Sequence, residues 1–373
     1  MHRGVRELIR WVQEHDGSET VKTHGPAAAK DVTALEHQLG APLPADLKIV
    51  LNVFDGATLP NGVLLSSVAG PGDTVEAGLR ALAEERGVSF LDPELLLPFH
   101  RTELGSYLAF DRSAAPVSDT WPVVDFDPQS GEMRLIHRTF DGWCRLCVRE
   151  WTSADYADEF TVDKYLRQGE RHAEIEPDVS IAHVTVAHAL RRAGEPERAL
   201  ESYLRAGRCV PAVPWADWEA LKLASNLTYP ADALEAASRL GKRAPVSTWE
   251  RRETTPSRVA YAIAKVAPAA GENQEAWLRV VDQLVAQALD DEDRAAAKAI
   301  RRAVVKGGPR PAPSPPQQAE LEIVEDADAL FASACEAYRA GSLRDEDLVL
   351  DPRLDALGRG HDPADLLRIR RDF

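Results

Sequence analysis

Cys144 and Cys147 form a C-x-x-C, the spacing that most readily suggests half of a zinc site or a redox dithiol. The surrounding stretch, GWCRLCVREW, is read as a strand, where residues three apart point to opposite faces, so the two thiols would not converge on one ion. No second C-x-x-C or Cys/His pair stands at a spacing that would complete four ligands, and Cys209 and Cys335 are distant and lack local histidines. Core thiols are therefore expected. His183 and His188 are five apart in an expected helix, off the shared face of an i, i+4 zinc pair. His100 and His137 fall near strand ends, where structural or solvent-facing roles are expected. His361-Asp362 is an isolated dipeptide, without the further His and Asp residues that a metal-dependent phosphohydrolase requires. No G-x-S-x-G, glycine-rich phosphate loop or H-E-x-x-H occurs. The remaining candidates are carboxylates near expected strands, Asp111, Asp119, Asp125, Asp127 and Glu132, with Trp121 among them. A paired acid/base site needs two carboxylates at a fixed separation in a pocket, and several of these fall at turns, where Asp satisfies backbone donors. As a binding face they make better sense: acidic side chains flanking an aromatic could anchor a basic partner, although Trp121 could equally belong to the core. These six residues are the partner-binding candidates; no catalytic, cofactor-binding or metal-binding residue is assigned, and no cofactor is expected.

The elements that must position them begin with residues 31–56, DVTALEHQLGAPLPADLKIVLNVFDG. Asp31 can N-cap a helix whose apolar positions Val32, Leu35 and Leu39 share one face, and Gly40 with Pro42 stops it. Pro44 opens a second helix, in which Leu47, Val50, Leu51 and Phe54 keep helical spacing until Asp55-Gly56. Upstream, Leu8, Ile9, Trp11 and Val12 lie in a short amphipathic segment. Beyond the Gly/Pro-rich residues 69–74, residues 75–86 read as helix. The apolar runs Val123, Val124, Phe126 and Met133, Leu135, Ile136 then flank a glycine-containing hairpin turn at residues 127–131. Helices, an antiparallel meander and a closing helix describe an α+β domain.

Together these pieces resemble the SUKH superfamily, the Smi/Knr type. The resemblance rests on Glu36 after Leu35 in the first helix of the pair, Leu43-Pro44 at the second, the closing Gly56 and the Trp11 segment. GSYLAFD (residues 105–111) and WPVVDFDPQSGEM (residues 121–133) are similar to the family's central strands, and YADEFTVDKYL (residues 156–166) to its closing helix. The resemblance covers about residues 1–170. It implies a protein-binding module, often a bacterial immunity protein that neutralises a toxin, and not an enzyme.

Past Gly169 the sequence turns to Ala, Leu and Arg at helical spacing, and an all-α helical-repeat domain is expected over residues 171–306. Residues 181–211 resemble a tetratricopeptide repeat: Ala187 where two helices approach, Gly194 at the turn, Ala199, Tyr203 and Ala206 on the second helix's inner face, and Pro211 at its close. His183 and Leu190 stand where the motif usually has aromatic residues. Further helices are expected at residues 215–227, 231–240 and 257–266, with one long helix at 275–305. Residues 307–319 read as a Pro-rich linker, and 320–373 as a small helical C-terminal segment that could fold back or bind a partner.

Length and charge bound the function. A chain of 373 residues exceeds one typical hydrophobic core, and 44% hydrophobic with 28% charged residues is a globular composition. The N-terminus lacks a signal peptide's apolar centre, no run is long enough to span a bilayer, and four cysteines fit a reducing compartment, so a cytoplasmic location is expected. Of the formal charge of −16, residues 1–170 carry −11, residues 171–305 balance, and residues 306–373 carry −5. Such a first domain repels nucleic acid and anionic membranes and would steer a basic partner toward it, which fits a basic toxin or nuclease. The reading is a cytoplasmic interaction protein, an immunity protein or regulator. The alternatives are a helical-repeat scaffold in a cellular or phage-defence assembly and, remotely, an enzyme.

Overall fold

The computed structural model describes residues 2–67, 73–84, 95–114, 120–127, 132–213, 215–242, 253–266, 274–288, 290–306, 321 and 326–373. Asp119, residues 85 and 86 of the expected fourth helix, the turn at residues 128–131 and the Pro-rich stretch 307–319 lie outside them. Two compact units emerge, one of Met1–Asp158 with Glu170–Ala182, the other of Glu159–Gly169 with His183–Phe373.

In the first unit, α1 (Arg3–His15) precedes β1 (Lys22–Thr23), followed by the helix pair α2 (Ala29–Leu39) and α3 (Ala45–Leu51). Strands β2 (Ala57–Leu59) and β3 (Gly62–Leu64), helix α4 (Val75–Glu84) and strands β4 (Leu96–Thr102), β5 (Tyr107–Asp111), β6 (Val123–Asp127) and β7 (Glu132–His137) come next, and α5 (Phe140–Trp151) follows them. The seven strands form one antiparallel meander in sequence order. One face carries the main core, where Leu97, Phe99, Leu108, Phe110 and Val123 meet Val5, Leu8, Leu35, Leu47, Val50 and Leu51 of the helices. Phe99 lies 4.8 Å from Phe110 and 5.1 Å from Trp143, centroid to centroid, so aromatic edges and faces fill the centre. A smaller cluster of Leu82, Leu96, Ala109, Val124 and Phe126 seals the opposite face beneath α4.

The corner between α2 and α3 has a definite physical basis. Gly40 closes α2 at φ +63°, a left-handed conformation that other residues adopt only with strain. The Glu36 carboxylate then accepts hydrogen bonds from the Leu43 amide (2.8 Å) and the Lys48 ammonium (3.0 Å), fixing the entry into α3. Asp31 stands in the first turn of α2, while Ala28 is its N-cap. The two-residue turn into β3 needs Gly62: at φ +136°, a Cβ there would lie 2.1 Å from the Arg101 carbonyl oxygen.

Residues 142–151 are helical, not a strand. Thr139 caps α5 by accepting from the Gly142 amide at 3.0 Å, and the buried Phe140, Trp143, Cys144, Cys147 and Trp151 follow a period of three to four. That period, broken by single polar residues, resembles strand alternation over short windows; the threonine cap and the full length decide for the helix. The expected closing helix also begins later than its sequence suggests, with residues 156–161 outside it and α6 spanning Val162–Ile175.

The second unit, apart from the start of α6, is built from α7 (Ser180–Ala193), α8 (Pro196–Arg208), α9 (Ala216–Asn226), α10 (Pro230–Leu240), α11 (Pro256–Val266), α12 (Gln274–Gln287), α13 (Asp291–Lys306), α14 (Ala327–Arg339), α15 (Asp345–Leu350) and α16 (Ala364–Leu367). Ala187, Ala199, Tyr203 and Ala206 are all buried, as the repeat-like spacing requires. Helices α9 and α11 are buried on almost every side, and their alanines let neighbours approach closely. The single helix expected over 275–305 is instead two. Asp290 accepts from the Asp293 amide at 2.7 Å, and Asp291, Glu292 and Asp293 place negative charge in a first turn, so a new helix starts there. The C-terminal segment folds onto this unit, with α15 against α9 and α11. No helix among the described residues is long and apolar enough to cross a membrane.

Candidate functional site

The strand carboxylates do not converge on one pocket. Asp111 ends β5 and uses Oδ1 to accept from the Ser113 amide (2.9 Å) and hydroxyl (2.5 Å), the local role of a turn aspartate. Asp125 is half-buried in the middle of β6, opposite Leu108 on one side and Arg134 on the other. Because side chains alternate across a sheet, Asp125 shares the face of Leu108 and Phe110, whereas Asp111 falls with Ala109 on the other. Trp121 is half-buried against the main core. Asp127 and Glu132 pair in register at the mouth of the β6–β7 hairpin.

Cys144 and Cys147, placed on a helix, share one side of it rather than opposing each other. Both are buried, and burial raises the thiol pKa of each well above its ordinary value, so they are protonated members of the core.

The second unit contains a cavity of about 260 Å³. Arg191, Lys222, Arg344 and Arg371 bring four cations to it against the carboxylates of Glu219 and Asp345, with Tyr203 and Trp215 as aromatic wall. Asp345 is the keystone. It accepts from Arg191 at 2.6 and 2.7 Å and from the Tyr338 hydroxyl at 2.5 Å, while its own carbonyl accepts from Asn226 at 3.2 Å. Burial opposes its charge, but Arg191, Arg371 and Lys222 outweigh that and hold its pKa below the usual carboxylate value. Arg371 also lies over the Tyr338 ring at 4.2 Å. Nothing local in the sequence marks these residues as one site, because Asp345 and Arg191 are 154 positions apart and become partners only once the tail folds back.

One group among the described residues offers metal-ligating atoms within reach of one another: His137, His172 and Glu176, all buried, within 4.8 Å. His137 Nδ1 lies 2.5 Å from Glu176 Oε2, His172 Nε2 lies 3.7 Å from the same oxygen, and the Arg138 amide donates to Glu176 Oε1 at 2.9 Å. Burial lowers the His137 pKa, so a neutral imidazole donates its Nδ1–H to the carboxylate. Burial works against the Glu176 charge, yet the hydrogen bond from His137 and the nearby His172 imidazole prevail and hold it at about 2. The i, i+4 spacing of His172 and Glu176 was the available sequence signal; their partner His137 is remote in sequence.

The SMI1 / KNR4 family (SUKH-1) matches residues 26–145, a stretch that begins just before α2 and ends within α5. No curated protein matches the chain. The matched stretch holds the α2–α3 corner and most of the antiparallel meander, which is the arrangement the helix pair and the strand spacing led to. At its N-terminal end, therefore, the chain carries an α+β domain that matches the SMI1 / KNR4 family (SUKH-1) over residues 26–145, followed by a region built of helices.

Proposed function

We propose that this chain is an immunity protein or regulator that neutralises a toxin by binding it directly, its acidic first domain masking a basic functional surface. The observation that carries this reading is the SUKH-1 match on the part of the chain where the negative charge is concentrated, net −11 over residues 1–170. The family is oriented toward protein interaction and known for immunity proteins, and its domains are generally non-catalytic. The preferred surface is the β6–β7 region of Trp121, Asp125, Asp127 and Glu132; Asp111 stands on the other face of the sheet, and Asp119 lies outside the described residues. Its half-buried Trp121 would anchor the contact, and its carboxylates would supply rim charge and steering. The Asp111 carboxylate is engaged by its own turn, as befits a group that steers a partner rather than reacts with it.

A second reading makes the helical region the principal binder, as in a scaffold of a cellular or phage-defence assembly; the cavity with four cations favours it, since that cavity suits an acidic segment. One experiment separates the two. The full-length protein, its Asp125→Lys/Asp127→Lys variant and its Lys222→Glu variant are used to capture the protein encoded beside it, quantified by mass spectrometry. Loss of capture with the first variant alone supports neutralisation through the acidic face. Loss with the second alone supports the scaffold reading.

A further inference from the structure

We propose that His137, His172 and Glu176 form a binding site for a single divalent transition-metal ion, with zinc the ion that best suits the ligands. Two imidazoles and a carboxylate are a common zinc donor set, and nitrogen donors disfavour magnesium and calcium, which prefer all-oxygen shells. The group is assembled from three sequence positions within one unit: the last residue of β7, the last turn of α6, and the residue that follows α6. It is held in readiness. The Arg138 amide fixes Glu176 Oε1 and turns Oε2 toward both imidazoles, as a supporting hydrogen bond does for a metal-bound carboxylate. Gly142 leaves room for the carboxylate, since a Cβ there would lie 2.4 Å from it.

The decisive observation is His172. The residue is only 8% exposed, and its Nε2 is buried with no hydrogen-bond partner among the described residues, 3.7 Å from Glu176 Oε2. An orphaned buried nitrogen costs about 1–3 kcal/mol, so a fold that retains one aimed at a carboxylate calls for something between them. With bonds of about 2.0–2.1 Å in a tetrahedral shell, ligand atoms sit about 3.3 Å apart. The two observed separations, 2.5 and 3.7 Å, bracket that distance. An ion would replace the proton shared by His137 and Glu176, part those two by under ~1 Å, and give His172 the partner it lacks, with water in the fourth position.

The test uses the full-length protein, stripped with a chelator and dialysed. Zn²⁺ is titrated by calorimetry, and Co²⁺ by its visible absorption, which reports coordination geometry directly. The proposal predicts one ion per chain, a four-coordinate Co²⁺ spectrum, and a melting temperature that rises with Zn²⁺. His172→Asn should weaken binding at least about 100-fold while the metal-free protein stays folded, because that nitrogen makes no hydrogen bond in the metal-free fold. Glu176→Gln, confirmed as folded by near-ultraviolet circular dichroism, should weaken binding comparably, and His361→Asn should not. Absence of saturable one-to-one binding in the folded wild type, or wild-type affinity in His172→Asn, would overturn the site and leave the three residues as a structural hydrogen-bonded group.

Discussion

Glu36 shows how one side chain can carry the geometry of a domain. Its carboxylate bonds a backbone amide across the α2–α3 corner and a lysine on the next helix, and hydrogen bonding to Lys48, then to Leu43, lowers its pKa. Glu36→Ala should destabilise the first unit by about 1–2 kcal/mol, seen as a lower urea midpoint, because charge-assisted hydrogen bonds at a partly buried corner are lost. An unchanged midpoint would mean that Gly40 and the prolines set the corner without it. His100 makes a prediction of the opposite kind. It is fully buried beside Trp143, shares a 3.2 Å hydrogen bond with the Asn61 carbonyl, and burial pushes its pKa down from 6.5 to about 4. The unfolded chain therefore takes up a proton between those values more readily than the folded one, so stability should fall as pH drops from about 6.5 toward 4 and stay flat above. The loss from this residue is about 2 kcal/mol at pH 5 and roughly 3 kcal/mol near pH 4. Comparing urea midpoints of wild type and His100→Gln at pH 7 and pH 5 isolates it; the same pH dependence in both would rule the assignment out.

At the scale of elements, the legible parts of the sequence were those whose signals are local. Gly40 and Pro44 delimit the helix pair, and the apolar runs Val123, Val124, Phe126 and Met133, Leu135, Ile136 give the β6–β7 hairpin, whose irregularity between Val123 and Val124 has no sequence signal. The reading of residues 142–151 as a strand failed because a buried helix with two cysteines and two tryptophans is apolar enough to imitate a strand over five or six residues. The long helix over 275–305 failed for a related reason: its apolar stripe continues across the break, and only Asp290 and the acidic turn behind it announce a second start. Long-range ties left no local trace at all. Asp345 and its Arg191 are the clearest example, and Asp345→Asn should destabilise the helical unit by about 3–5 kcal/mol, since it leaves a buried guanidinium unpaired. Chemical denaturation of that variant measures the loss, and pairing it with Arg191→Met should recover part of the stability. A double variant no better than the single one would place the cost elsewhere.

Across the whole molecule, the sequence conveyed the division of labour better than the sites. An α+β domain with excess negative charge followed by a helical region could be read from composition, periodicity and the helix-pair motif, and the family match falls on the first of these. The candidate face was less legible. Trp121 is half-buried against the core, Asp111 and Asp125 stand on opposite faces of the sheet, and His137, expected only in a structural or solvent-facing role, meets His172 and Glu176 because strand and helix bring them together. The proposed function depends on charge acting at the surface of the first domain, and charge is what salt screens. The most direct measurement is therefore the association rate of the full-length protein with a purified toxin that it captures, followed from low to high ionic strength for the wild type and for Asp125→Lys/Asp127→Lys. The account predicts an association rate that falls steeply with added salt in the wild type, and a much slower, nearly salt-independent rate in the variant. Equal rates and equal salt dependence in the two proteins would contradict it.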